Sequence, residues 1–134
     1  MIAGSVDTNV LVRLVAQDDP LQVQAVERLF ARYARKGDFL LVPITVVLEL
    51  EWVLRSKLDL AKAQILDTMD ALLSMVELSF ESEGALEQAL VDYAEGNADF
   101  GEYLHLALAR KEGALPFWTF DKKATKTAGA KALT

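Results

Sequence analysis

Short apolar segments that alternate with helical segments constrain the fold of this chain more than any other feature. Runs typical of buried strands occupy residues 2–6, 39–42, 76–80 and 115–120. The spacing of apolar residues elsewhere predicts helices over residues 8–16, 20–36, 45–58, 60–75, 82–94 and 99–112. A short helix after Asp121 and a terminal strand over 131–134 complete the pattern. This alternation predicts an α/β fold of three layers around a mainly parallel central sheet.

Length and composition predict a single domain over residues 1–134. The chain has 134 residues, of which 52% are hydrophobic, so it can form a sizeable core, and no repeat or linker interrupts it. The absence of cysteine excludes disulfides and thiolate metal sites and favours a reducing compartment. Neither a membrane span nor the features of a signal peptide occur in the sequence. We therefore expect a soluble cytoplasmic protein with no membrane partner.

The charge is acidic overall but unevenly distributed. The formal net charge is -6, which alone would disfavour a polyanionic partner. Basic residues nevertheless cluster in two segments, Arg28–Lys36 and Lys122–Lys131. These residues are candidates for contacts with phosphate, although a solvated helix face is the more common role of such lysines. Net charge therefore does not exclude nucleic acid.

Two aspartates follow predicted strands. Asp7 ends the first strand and Asp121 ends the fourth, at the carboxyl edge where open parallel sheets gather functional groups. Both also precede a helix, and aspartate is a favoured helix N-cap that contributes about 1 kcal/mol. Capping and chemistry are about equally good explanations for each residue taken alone.

Glu49 lies in a strongly apolar helical segment. Its neighbours three and four positions away are mostly apolar: Thr45, Val46, Trp52 and Val53. We expect its carboxylate to be at least partly buried, and a buried carboxylate needs a cation or hydrogen-bond donors. A glutamate that reaches water from the helix edge is the alternative. Glu51 has Arg55 four residues on, which predicts an ordinary surface ion pair.

A third acidic segment begins the helix over 99–112. Asp99 and Glu102 are three residues apart and point the same way, as metal ligands would. The same spacing resembles a capping box, in which both side chains satisfy backbone N–H groups. His105 shares this face one turn later, where a histidine is more often a wall residue than a ligand.

Taken together, the scattered acids point to metal chemistry. Asp7, Glu49, Asp99 and Asp121 can converge at one sheet edge, where carboxylates raise one another's pKa unless cations lie between them. Oxygen ligands without Cys or His favour Mg²⁺ or Mn²⁺ over zinc. Such ions retain water, which suits hydrolysis of a phosphodiester.

The acidic segments, in this order, resemble the motifs of the PIN-domain family. The similarity covers nearly the whole chain and lies in residues 6–9 (Val-Asp-Thr-Asn), 44–54 around Glu49, 98–102 (Ala-Asp-Phe-Gly-Glu) and 119–123 (Thr-Phe-Asp-Lys-Lys). It is greatest to the short VapC-like toxins of bacterial and archaeal toxin–antitoxin pairs. The resemblance implies a PIN-like α/β/α fold, a Mg²⁺- or Mn²⁺-dependent endoribonuclease acting on RNA, a small antitoxin partner and a homodimer.

Carried over residue by residue, the resemblance also implies a catalytic site. Asp7, Asp99 and Asp121 would hold the ion, and Glu49 would hold a water or a second ion and help to deprotonate the nucleophile. Asn9 and Thr119 would support the site by hydrogen bonds. Glu102, a further candidate ligand, replaces the aspartate more usual in the third motif and so changes its reach. No other nucleophile stands out, so attack by metal-activated water is favoured over a covalent intermediate. The apolar helical pair over 45–75 is a candidate dimer or antitoxin surface.

Three other classes of protein remain as alternatives. A receiver-like, Mg²⁺-binding signalling domain would have two adjacent acids after the first strand, whereas Asp7 is followed by Thr8. A haloacid-dehalogenase-like phosphatase would have a second aspartate at position 9, where Asn9 stands. A catalytically inactive PIN-like binding module is the third alternative, and four intact acids argue against it.

Overall fold

The structure is a computed structural model that describes all residues 1–134, and it forms two compact units. Unit 1 is Met1–Glu81 and unit 2 is Ser82–Thr134. Every predicted helix and strand is present, and the strands pair in parallel, so the predicted α/β class is confirmed. The prediction of a single domain over residues 1–134 stays a prediction.

Unit 1 contains a three-stranded parallel sheet in the order β1-β2-β3 and four helices. The strands are β1 (Ile2–Ser5), β2 (Phe39–Val42) and β3 (Leu78–Phe80). The helices are α1 (Thr8–Ala16), α2 (Pro20–Lys36), α3 (Ile44–Ser56) and α4 (Lys62–Leu73). The register aligns Ser5 with Leu41 and Val42 with Phe80. Because β1 and β2 are parallel neighbours, the residues that follow them lie at the same edge of this sheet.

The boundaries of α2 follow from its terminal residues. The Oδ1 atom of Asp19 accepts a hydrogen bond from the backbone N–H of Gln22 at 3.2 Å, and Pro20 occupies the first turn. At the other end Gly37 adopts φ 69°, a left-handed conformation that glycine reaches without a Cβ penalty. Both predicted ends of α2 are confirmed.

The core of unit 1 contains the apolar faces of its helices and of strand β2. Leu11, Leu50, Leu54 and Val42 are completely buried. Gly4 lies beneath the Tyr33 ring, whose hydroxyl donates to the Ala3 carbonyl at 3.1 Å. A Cβ at position 4 would collide with that hydroxyl, so a larger residue there would have to displace the Tyr33 ring.

Unit 2 contains two helices and a two-stranded parallel sheet. The helices are α5 (Glu83–Glu95) and α6 (Phe100–Lys111), and the strands are β4 (Phe117–Thr119) and β5 (Ala130–Ala132), with a 3₁₀ turn at Ala124–Lys126. The core of α5 and α6 includes Leu86, Phe100 and Tyr103. Strand β4 begins later than predicted because Pro116 has no N–H to donate, and it ends one residue earlier, at Thr119. The first ladder bond runs from the Phe117 N–H to the Gly129 carbonyl at 2.8 Å.

The helices are not membrane spans. None is both long enough and apolar enough to cross a bilayer.

Candidate active site

Asp7 lies between β1 and α1 and caps the helix. Its backbone is extended, and its Oδ1 atom accepts a hydrogen bond from the Val10 N–H at 3.1 Å. The capping explanation is therefore confirmed for this residue. The side chain is exposed, however, and its Oδ2 atom makes no hydrogen bond. Capping uses one oxygen and leaves the other for a ligand.

Thr8 links the Asp7 segment to Glu49. The Thr8 side chain is buried, and its hydroxyl donates a hydrogen bond to the Glu49 Oε1 atom on α3. Glu49 itself is exposed, so the prediction that its carboxylate is partly buried is wrong. Because Thr8 fixes one carboxylate oxygen, Glu49 is nevertheless held next to the start of α1.

The sequence analysis assigned no role to Thr8, although its pattern contained a signal. Thr8, Leu11 and Val12 have the i, i+3, i+4 spacing of a buried helix face, and all three are buried. A buried hydroxyl needs a hydrogen-bond partner, so this spacing indicates that Thr8 contacts a polar group. Asn9, which was predicted to support the site, is exposed and makes no hydrogen bond.

The buried acid of α3 is Glu51 rather than Glu49. The core face of this helix is formed by Val47, Leu50, Glu51 and Leu54. Glu51 is 2% exposed and accepts from the Arg55 Nε atom at 3.0 Å. The predicted ion pair is confirmed, but its placement on the surface is wrong. Because apolar residues lie on nearly every side of α3, the sequence does not show which face is buried. Even the large apolar side chain of Trp52 is half exposed.

Asp99 precedes α6 without capping it. Its backbone has the extended N-cap conformation, but its side chain makes no capping hydrogen bond. The capping box considered from the sequence is therefore not formed. Asp99 is exposed, and both of its carboxylate oxygens are free of hydrogen bonds.

The backbone before Asp99 is held by a buried tyrosine. The Tyr103 hydroxyl accepts a hydrogen bond from the Ala98 N–H at 3.0 Å, and both residues are buried. A Cβ at Gly96 would collide with the same hydroxyl. Gly96 and Tyr103 together position the turn that presents Asp99.

Glu102, Thr119 and Asp121 form a cluster in unit 2. The Thr119 hydroxyl donates to the Glu102 Oε2 atom at 3.4 Å and accepts from the Asp121 N–H at 2.9 Å. The Asp121 Oδ1 atom accepts from the N–H groups of Lys123 and Ala124 at 2.9 and 3.3 Å, so Asp121 also caps its turn. Its Oδ2 atom makes no hydrogen bond.

His105 lies outside this cluster. It is exposed, and its ring centroid is 6.4 Å from that of Phe117. Its assignment as a wall residue rather than a ligand stays a prediction.

The available oxygens fit a hard divalent ion in their chemistry. Asp7 and Asp121 each keep one free carboxylate oxygen, and Asp99 keeps two. Carboxylate oxygens are the donors that Mg²⁺ and Mn²⁺ prefer. Within neither unit are three histidine, aspartate or glutamate side chains grouped as a metal site. The assignment of these residues as ligands therefore stays a prediction.

Comparison with known proteins decides the family. The PIN domain family matches residues 5–130, which is nearly the whole chain. The chain belongs to the PIN-domain family. This PIN domain is also similar to a VapC ribonuclease of Aquifex aeolicus (strain VF5), with 23% identity over 120 residues, covering 90% of this chain and 88% of the relative. The resemblance to VapC-like PIN domains and the PIN-like α/β/α fold, both expected from the sequence, are confirmed.

Proposed function

We propose that this PIN domain is a metal-dependent endoribonuclease that hydrolyses RNA phosphodiester bonds with water. Membership of the family and similarity to a VapC ribonuclease support nuclease activity. The observation that carries the proposal is the set of uncommitted carboxylate oxygens on Asp7, Asp99 and Asp121. Helix capping does not explain all three aspartates, because Asp99 makes no capping hydrogen bond.

Each acidic residue has a proposed role. Asp7, Asp99 and Asp121 would hold a Mg²⁺ or Mn²⁺ ion, with Glu102 as a further ligand. Bound there, the ion would supply Lewis-acid chemistry by lowering the pKa of water and stabilising the leaving oxygen. Glu49 would orient the attacking water and accept its proton.

The two threonines would act as positioning residues. Thr8 fixes one oxygen of Glu49, which restricts the side chain without removing its charge. Thr119 contacts Glu102 and holds the backbone N–H of Asp121. Hydrogen bonds of this kind orient metal ligands and typically affect metal affinity or activity by about 10- to 100-fold. Asn9 would support the site by hydrogen bonds to groups other than the protein side chains, because its own side chain makes no hydrogen bond in the structure.

The proposal extends to biological context. We propose that the protein is the toxin of a toxin–antitoxin pair, with a small antitoxin protein as partner and a homodimer as the assembly. Similarity to a VapC ribonuclease supports the ribonuclease part of this proposal. We also propose that it acts in the cytoplasm. The half-exposed Trp52 on α3 belongs to the helical pair proposed as a dimer or antitoxin surface.

Cleavage of a mixed tRNA and rRNA pool tests the activity. The antitoxin-free protein is incubated with Mg²⁺, Mn²⁺ or EDTA, and the Asp7→Asn variant is assayed beside it. Asparagine remains a good helix N-cap, so this variant should fold normally while losing the charge. Cutting that needs the cation and is lost in the variant supports the proposal. No cutting by folded wild-type protein, with no stabilisation by Mn²⁺, would indicate a binding module instead.

A further inference from the structure

An arginine face on α2 is left without any partner inside the molecule. Arg28, Arg32 and Arg35 are exposed and make neither ion pairs nor hydrogen bonds. Their spacing of four and three residues places them in one row along the helix. The buried residues of α2, Val23 and Phe30 among them, lie on the opposite side. The arginine face is therefore directed away from the core of unit 1.

The other arginines of the chain are all engaged. Arg13 binds Asp18 at 2.9 Å, Arg55 binds Glu51 at 3.0 Å, and Arg110 donates to the Ala128 carbonyl at 2.8 Å. In a chain with net charge -6, acidic side chains are abundant, yet none pairs with the α2 row. Glu27 is adjacent in sequence but is about 100° around the helix from Arg28 and forms no ion pair with it. Three like charges in a row repel one another mildly, so the row is better explained by an external anion than by stability.

The surface between the arginines has room for such an anion. Ala25 and Ala31 are small, and with Leu29 and the arginine stems they line an open groove on this face. The row from Arg28 to Arg35 extends for about 10 Å along the helix axis. Guanidinium groups bind phosphate by paired N–H donors and, unlike lysine, bind it with a fixed geometry.

We propose that the α2 arginine face binds the phosphate backbone of the RNA substrate. The proposal rests on the proposed ribonuclease function for the identity of the polyanion, and the arginines themselves account for the affinity. Contacts to phosphate carry no sequence information, so this face would add affinity and orientation without choosing the cleavage sequence. An acidic segment of a partner protein is the competing occupant.

Salt-dependent RNA binding tests the proposal. Anisotropy of a fluorescent single-stranded RNA is measured with the full chain in EDTA, so that binding is read without cutting. The test variant is the triple substitution Arg28→Gln, Arg32→Gln and Arg35→Gln. The matched control, Lys57→Gln, Lys62→Gln and Lys111→Gln, removes the same number of positive charges elsewhere. Circular dichroism confirms that both variants are folded.

The expected result is a change in the salt slope for the arginine variant alone. Each phosphate contact on a single strand contributes about 0.7 to the slope of log K against log salt, so three contacts should lower it by about 2. Equal slopes for the two variants, or no RNA binding by the wild type, would overturn the proposal. Retention of a polyglutamate peptide by the wild type but not by the arginine variant, with unchanged RNA binding, would assign the face to an acidic partner. Failure of cutting with Mn²⁺ would instead contradict the proposed function and leave this slope unaffected.

Discussion

In both units an aspartate caps a helix or turn, and a nearby threonine donates a hydrogen bond to a glutamate. The two units differ in the secondary structure that carries these residues. In unit 1, Asp7 caps the nine-residue helix α1, and the next residue, Thr8, donates from a buried position to Glu49. The support is a regular helix whose inner face belongs to the core. Because the hydroxyl is buried, water cannot easily replace it.

In unit 2 the corresponding aspartate and threonine lie on shorter secondary structure. Asp121 caps a 3₁₀ turn, and Thr119, at the end of a three-residue strand, contacts Glu102 at 3.4 Å. Thr119 is only partly buried, so water competes with its bonds. The comparison indicates that unit 1 fixes its acids more firmly, and that Asp121 depends more on its own cap.

Substitution of the two capping aspartates should produce the largest effects and separates capping from chemistry. Asp7→Asn and Asp121→Asn each keep a side-chain acceptor for the cap but lose the charge. We expect the rate of RNA cleavage to fall at least about 100-fold for both, because each removes an anionic ligand worth several kcal/mol in the transition state. Thermal unfolding should remain close to wild type. Loss of stability in step with activity would indicate that these residues only cap.

Removal of a tyrosine hydroxyl should destabilise unit 2 more than unit 1. Tyr103→Phe leaves the buried Ala98 N–H without its acceptor, which should lower the free energy of unfolding by about 1–3 kcal/mol. Tyr33→Phe is the matched control, because its hydroxyl donates to the exposed Ala3 carbonyl, which water can reach. The control should cost less than about 1 kcal/mol. Urea unfolding measures both, and equal costs would contradict the assignment of Tyr103 as the anchor of the Asp99 turn.

Thr8→Val and Thr119→Val compare the two positioning residues directly. Valine keeps the shape of threonine but lacks the hydroxyl. In Thr8→Val the Glu49 side chain therefore becomes free to rotate, and in Thr119→Val the Glu102 side chain does. We expect cleavage by Thr8→Val to fall about 10-fold. The loss in Thr119→Val should be smaller, because Thr119 is only partly buried and water can replace its hydrogen bond. Thr8→Ser, which retains the donor, should recover most of the activity. A Thr8→Ser variant as slow as Thr8→Val would show that packing rather than hydrogen bonding is responsible.

Glycine substitutions should give the smallest effects, of opposite sign in the two units. Gly37→Ala places a Cβ at φ 69° and should destabilise the protein by about 1 kcal/mol. Gly84→Ala, in helix α5 with open space around it, should stabilise the protein by a few tenths of a kcal/mol to about 1 kcal/mol. Thermal unfolding distinguishes the two, and destabilisation by Gly84→Ala would contradict the described start of α5.

Much of the fold could be predicted because local signals mark its boundaries. Asp19, Pro20 and Gly37 define the ends of α2 by their own backbone preferences, and the structure has the helix between them. Pairing was harder to predict, because a short strand such as β4 carries no information about its neighbour. The division of the parallel strands into a three-stranded and a two-stranded sheet was not foreseen.

The site could be predicted only in part from the sequence, for a different physical reason. The motif order predicted which acids form the site, but the environment of each acid depends on which helix face is buried. On α3, apolar residues surround the helix, so the sequence placed Glu49 inside and Glu51 outside, the reverse of the structure. On α1, by contrast, the spacing of Thr8, Leu11 and Val12 marks the buried face, but the partner of the Thr8 hydroxyl depends on how α1 packs against α3.

Binding of Mn²⁺ by calorimetry tests most directly whether the acids act together. Wild type, Asp7→Asn, Asp121→Asn and the double variant are titrated with Mn²⁺ in the absence of RNA. If both aspartates bind the same ion, each single variant should lose affinity by at least about 10-fold, and the double variant should lose less than the sum of the two free-energy changes. Wild-type affinity in either single variant, or strictly additive losses, would contradict the account.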